Sequence, residues 1–64
     1  METLKEVIES NSPHEITIYE TGNSTPIIYQ EDVIYFCSKY TELLERKVKD
    51  WDMTMERFMY VRLY

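Results

Sequence analysis

The stretch from Asp32 to Trp51 constrains the fold of this chain more than any other part. Its apolar residues recur at spacings of three and four: Val33, Phe36, Cys37, Tyr40, Leu43, Leu44, Val48 and Trp51. This period places them on one side of an α-helix. Glu31 and Asp32 stand where they would cap its first turn, and Glu42 with Arg46 forms an i,i+4 pair suited to an exposed side. The pattern therefore predicts one long helix.

The N-terminal half of the chain predicts a short helix followed by a β-hairpin. Thr3 and Glu6 have the spacing of a capping box at the start of the helix. From Glu15 the apolar and polar residues alternate with a period of two, which is typical of a half-buried strand. A polar turn over residues 21–24 contains the only glycine, and the alternation resumes over residues 26–30.

The C-terminal segment, residues 55–64, fits both the helical and the strand period. We favour a strand, because aromatic and β-branched residues dominate and the hairpin needs a third strand for stability. The predicted fold is α+β and a single domain, 1–64, with a short N-terminal helix, a β-hairpin, a long helix and a C-terminal strand. The helix would lie on one face of a three-stranded antiparallel sheet. A final strand at an exposed edge also predicts a homodimer.

Charge and residue types argue against several classes of function. The net charge is −5, from 12 acidic and 7 basic residues, so a nucleic acid would be repelled and the expected partner is a protein with a basic surface. His14 and Cys37 are the only residues of their types, and a single glycine cannot form a phosphate loop. We therefore predict no metal, no cofactor and no enzymatic activity.

Hydropathy and aromatic content point to a binding protein inside the cell. No apolar run is long enough to span a membrane, and the N-terminus lacks the features of a signal peptide, which predicts a cytoplasmic protein. Six tyrosines, two phenylalanines and one tryptophan favour a protein–protein interface. A strand bearing Phe58, Tyr60 and Arg62 could also stack on bases, but the excess of acids favours the protein interface.

Four local strings and their order resemble a known family. They are Glu15-Ile16-Thr17, Ile28-Tyr29-Gln30-Glu31, the i,i+4 pair Phe36 and Tyr40, and the ending Glu56 to Leu63. In this respect the chain resembles the small uracil-DNA glycosylase inhibitors of certain tailed phages. The resemblance implies a homodimer in the cytoplasm of an infected bacterium that imitates DNA and inhibits the host glycosylase.

The resemblance also implies roles for five residues. Phe36 and Tyr40 of both subunits would line an apolar pocket for the side chain that the enzyme pushes into the minor groove. Glu31 would imitate a phosphate, with Tyr29 beside it and Glu42 as a further acid. The family's acid directly after the strand tyrosine is Gln30 here, so Glu31 takes that role only after a one-residue shift of register.

Two alternatives stay open at the level of sequence. Phe36 and Tyr40 fit the core of a helix–sheet layer as well as they fit a pocket, because aromatic residues at helical spacing usually pack inward. The protein would also suit a structural or adaptor role in a phage particle, with its aromatic edge as an assembly surface.

Overall fold

Two α-helices and four β-strands make up the fold in the computed structural model, which describes residues 1–64. In chain order the elements are α1 (Leu4–Asn11), β1 (Glu15–Glu20), β2 (Ile28–Asp32), α2 (Val33–Lys39), a short 3₁₀ helix (Leu43–Glu45), β3 (Val48–Met53) and β4 (Phe58–Leu63). The strands form one sheet in the order β2-β1-β4-β3. The predicted α+β class is therefore confirmed. Neither helix has the length and apolar character needed to cross a membrane.

The start of α1 is fixed by the predicted capping box. The Glu6 backbone N–H donates to the Thr3 hydroxyl at 3.3 Å, and the Glu6 carboxylate accepts from the Thr3 backbone N–H at 2.8 Å. These bonds satisfy amide groups that have no partner within the first turn. The bonds from Thr3 also hold the pKa of Glu6 below its usual value.

The end of α1 is held against the β3–β4 turn. Ser12 adopts the left-handed conformation, with φ at 48°, and terminates the helix. The guanidinium group of Arg57, in that turn, donates to the carbonyl of Ser12 at 3.0 Å and to the carbonyl of Asn11. A basic side chain thereby covers the negative end of the helix dipole.

The prediction of one helix over residues 32–51 is wrong. Asp32 is the N-cap as expected, but α2 ends at Lys39, and residues 48–53 form a strand instead of the last turns of the helix. Val48 and Trp51 have a spacing of three, which fits a helix locally. The segment forms a strand because its backbone pairs with that of β4, and such tertiary pairing outweighs a local helical pattern.

The predicted ion pair between Glu42 and Arg46 is also absent, because the helix that would align them is not formed. The guanidinium group of Arg46 instead donates to the Glu20 carboxylate at 3.2 Å and to the carbonyl of Tyr64 at 2.6 Å. It thus joins the end of β1 to the C-terminus.

The sheet is four-stranded and mixed, which corrects the predicted three-stranded antiparallel arrangement. The C-terminal segment is a strand, as predicted, but β4 lies inside the sheet between β1 and β3. It pairs in parallel with β1 along the whole strand and antiparallel with β3. The homodimer stays a prediction, but the argument for it from an exposed final strand no longer holds.

The core lies on one face of the sheet, between the strands and the two helices. Strand alternation places Ile16 and Ile18 on this face, and both are fully buried. The other buried apolar residues of this cluster are Leu4, Val7, Ile8, Phe36, Val48, Met59, Val61 and Leu63. Because both helices pack on this face, no helix lies over the opposite face of the sheet.

Replacement of Phe36 by alanine should remove a large part of the stability. Phe36 has 0 % of its surface exposed, so the variant loses buried contacts and leaves a cavity, which costs about 3–5 kcal/mol in the free energy of unfolding. Urea denaturation followed by circular dichroism measures this.

The matched control is Ile34→Ala, on the same helix but 79 % exposed, which should change the free energy of unfolding by less than about 0.5 kcal/mol. Phe36→Leu provides a milder variant that remains folded for comparison. A Phe36→Ala protein as stable as the Ile34→Ala protein would contradict the core position of this ring.

Candidate functional site: the uncovered face of the sheet

The candidate site is the uncovered side of the sheet, here called the open face. Its members alternate with buried core residues along three adjacent strands. They are Glu15, Thr17 and Tyr19 from β1, Phe58, Tyr60 and Arg62 from β4, and Asp50 and Asp52 from β3. The open face therefore combines aromatic rings with carboxylates.

Cross-strand register sets the order of these side chains. Tyr60 lies opposite Thr17 on one side and Asp52 on the other, while Arg62 lies between Tyr19 and Asp50. Directly opposite residues share a face and lie close enough for their side chains to interact. The aromatic rings thus run through the middle of the open face, and two aspartates follow its β3 edge.

A shallow groove crosses the β3 side of the open face. It has a volume of about 360 Å³, and its lining includes Tyr19, Trp51, Asp52 and Tyr60. The guanidinium group of Arg62 forms an ion pair with Asp50 at 3.4 Å, whereas Asp52 has no ion-pair partner. The groove therefore keeps an unpaired acid beside aromatic surface.

Thr17 is buried on the open face because β2 folds over it. A bulge in β2 places Gln30 in the left-handed region, with φ at 50°, and the Gln30 N–H donates to the Thr17 hydroxyl at 2.9 Å. A bulge of this kind bends the strand and interrupts the ladder. The predicted second strand, 26–30, is found over residues 28–32, because Glu31 and Asp32 pair with Ile16 and Glu15 of β1.

Glu15 carries an unsatisfied acceptor. One oxygen of its carboxylate, Oε1, is buried and accepts no hydrogen bond. A buried oxygen without a donor costs free energy in the isolated chain, and a donor supplied from outside would offset that cost.

The predicted aromatic pair is together in space but does not form an open pocket. The ring centroids of Phe36 and Tyr40 are 5.2 Å apart, with 35° between the ring planes. Phe36 is fully buried in the core, and Tyr40 is half-buried at its rim. In the single chain, Phe36 thus has no surface to offer to a partner.

The other predicted residues lie at separate places. Tyr29 is 70 % exposed on β2, while Glu31 on the same strand is half-buried and pairs with Ile16 on the helix side of the sheet. Exposed Glu42 lies in the turn after α2 and lines a cleft of about 290 Å³ together with Tyr40. No single surface of the chain unites the five residues.

The acids on β3 were not predicted from the sequence, because residues 48–51 were assigned to the end of the long helix and Asp52 to the break after it. The signal was present in the alternation of Asp50, Trp51, Asp52 and Met53, which has a period of two. The face shared by Phe58, Tyr60 and Arg62 was predicted correctly from the same kind of alternation.

The titratable groups include no metal-binding cluster and one thiol whose pKa is raised. No three His, Cys, Asp or Glu side chains come together as a cluster that would hold a metal ion. Burial raises the pKa of the Cys37 thiol, and the charge of Glu9 raises it further. A raised pKa keeps the thiol protonated and makes it a weak nucleophile.

Comparisons with protein-family models, with curated proteins and with solved structures find no match to this chain.

Replacement of Thr17 by valine should weaken the attachment of β2. Valine keeps the shape but leaves the Gln30 N–H without its acceptor, at a cost of about 1 kcal/mol in the free energy of unfolding. Thermal unfolding measures the loss, and faster hydrogen exchange at the Gln30 amide localises it. Thr41→Val, at an exposed turn position, is the control and should change neither quantity. Equal stability of the two variants would show that this bond does not hold the bulge.

The Cys37 thiol should be alkylated at a higher pH in the native chain than in the unfolded chain. The raised native pKa, caused first by burial and then by Glu9, shifts the pH midpoint of the alkylation rate upwards. Iodoacetamide labelling followed by mass spectrometry, with and without urea, measures both midpoints. Glu9→Gln should lower the native midpoint by removing the second cause alone. A native midpoint below the unfolded one would contradict this.

Proposed function

We propose that this protein is a non-catalytic inhibitor that binds a DNA-binding protein by imitating DNA, and that its target is the uracil-DNA glycosylase of a bacterial host infected by a phage. The open face carries this proposal, because it presents aromatic rings flanked by carboxylates on the side of the sheet away from both helices. The choice of target comes from the resemblance to the phage inhibitors.

The distribution of charge supports a basic partner. Of the 12 acidic side chains only two, Glu20 and Asp50, take part in ion pairs. All three arginines, in contrast, are engaged within the chain through Glu20, Asp50 and backbone carbonyls. The surface that remains free is therefore mainly acidic, which steers association with a cationic DNA-binding groove.

The aromatic content of the open face supports binding over simple charge attraction. Tyr60 is 36 % exposed, and Tyr19 and Phe58 are half-buried beside it. Amphipathic rings of this kind supply much of the energy at protein interfaces. An enzyme that flips bases inserts an apolar side chain into the minor groove, and an aromatic groove between acids suits that side chain.

This proposal moves the apolar contact away from Phe36. Opening a pocket at Phe36 would require removing a fully buried ring from the core, whereas the groove on the open face is accessible in the folded chain. Tyr29, exposed at the far edge of the sheet, would extend the contact on the β2 side, whereas Glu31 lies on the helix side and outside it.

Stoichiometric protein should block the excision of uracil from a duplex by a purified bacterial uracil-DNA glycosylase. Asp52→Lys should weaken this inhibition by about tenfold or more, because it places a positive charge against a basic partner at the centre of the acidic edge. A titration of excision rate against inhibitor concentration measures the change.

The matched control is Glu45→Lys, which makes the same change in net charge on the 3₁₀ helix at the covered side of the sheet. Its inhibition should stay within about twofold of the parent and should weaken with added salt in the same way. Undiminished uracil excision at a large excess of the parent protein would rule out the glycosylase as the target. Equal losses in the two variants would remove the open face from the proposal.

A further inference from the structure

One edge of the sheet is formed by β3, which has no neighbour beyond it and whose register with β4 shifts between Val48 and Asp50. Outside its ladder with β4, the segment 49–53 of β3 makes no backbone hydrogen bond. At its end the Met53 N–H donates to the Asp52 carboxylate at 2.9 Å, so the free segment is residues 49–52. The opposite edge strand, β2, has its bulge at Gln30 in the middle of the strand, whereas the register shift of β3 lies at its start and leaves the pairing regular from Asp50 to Met53.

The preceding part of the same edge already holds an extended segment. The Val48 N–H donates to the carbonyl of Glu2 at 2.9 Å, and the Leu4 N–H donates to the carbonyl of Arg46 at 2.9 Å, around an antiparallel bridge between Thr3 and Lys47. The edge therefore already forms a single antiparallel bridge with the segment that precedes α1. A groove of about 450 Å³, lined in part by Glu2, Val48 and Trp51, lies where this segment ends and the free segment begins.

Self-pairing of two copies along this edge is disfavoured by charge. An antiparallel pair related by a two-fold axis places one residue opposite its own copy. Centring on Asp50 brings two aspartates together, and centring on Trp51 sets Asp50 opposite Asp52 twice. Like charges directly opposite one another are destabilising, so the second copy is not the occupant that fits.

We infer that the free edge of β3 binds an extended basic segment of the partner by strand addition. The segment would carry Lys or Arg at alternate positions opposite Asp50 and Asp52 on the open face, with an apolar residue between them opposite Trp51. Main-chain hydrogen bonds would provide the affinity and the alternating side chains the specificity. This inference rests on the proposed function for the basic character of the partner, and it adds where and in what conformation that partner binds.

The test uses a synthetic peptide, acetyl-Val-Lys-Val-Lys-Val-Lys-Val-amide, and the full chain. Trp51 is the only tryptophan and lies on the edge itself, 41 % exposed, so its fluorescence reports binding directly. We expect a saturable change in Trp51 emission and slower hydrogen exchange of the Trp51 amide, whose N–H faces away from β4 while those of Asp50 and Asp52 point into the ladder. The double variant Asp50→Asn/Asp52→Asn should bind the peptide roughly tenfold more weakly, since two opposite-charge pairs are lost.

Two controls make the result decisive. Glu9→Gln/Glu45→Gln makes the same change in net charge at two exposed positions away from β3 and should bind like the parent. A peptide methylated at alternate backbone nitrogens keeps its charge but cannot form the ladder, and should not bind. Binding of the methylated peptide, equal weakening in both double variants, or unchanged exchange at the Trp51 amide would each overturn the inference.

The outcome is separable from that of the glycosylase assay. Peptide binding at the edge with no inhibition of uracil excision would overturn the choice of target and leave the edge site standing. Inhibition of excision without peptide protection of the Trp51 amide would overturn the strand-addition inference alone.

Discussion

The parallel pairing of β1 with β4 is the constraint on which the rest of the structure depends. These strands come from opposite halves of the chain, and they pair residue by residue from Glu15 with Phe58 to Glu20 with Leu63. Their apolar side chains on one face form the floor on which both helices pack. Because a strand alternates strictly, the same pairing sends an equal number of side chains to the other face. The second face has aromatic rings in the middle and acids at the edge. This composition follows directly from the pairing of β1 with β4.

In this arrangement the residues that stabilise the core are different from those of the proposed binding surface. A chain of this length buries only a modest share of its surface, so it can spare few apolar residues from the core. Phe36 is used for the core, and α2 presents its exposed apolar side chain, Ile34, on the other side. The open face can hold Tyr60 and Asp52 without cost to packing, because no layer has to fit over them. Substitutions there should alter recognition and leave folding intact, whereas those beneath the helices should do the reverse.

The sequence predicted the parts of the fold in which local chemistry and tertiary packing agree. Three features were predicted correctly for this reason: the Thr3 capping box, the alternation in β1 and the strand at residues 58–63. The strand at residues 48–53 could not be predicted in this way. Val48 and Trp51 have a helical spacing, and the pairing of this segment with β4 is a long-range contact that a local pattern does not show. The bulge at Gln30 was equally hidden, since a left-handed non-glycine residue depends on the Thr17 hydroxyl that supports it. Only the part of the candidate site on β4 was predicted from the sequence. The position of its acids on β3 is known only from the pairing of β3 with β4 in the structure.

In the proposed complex, the open face contacts a basic DNA-binding protein. Chemical-shift mapping of the ¹⁵N-labelled chain with purified uracil-DNA glycosylase tests it most directly. The perturbed amides should cluster on β1, β4 and β3, around Tyr19, Tyr60 and Asp52, while those of α1 around Lys5 should be unchanged. Perturbations confined to α1, or none at saturating glycosylase, would contradict it.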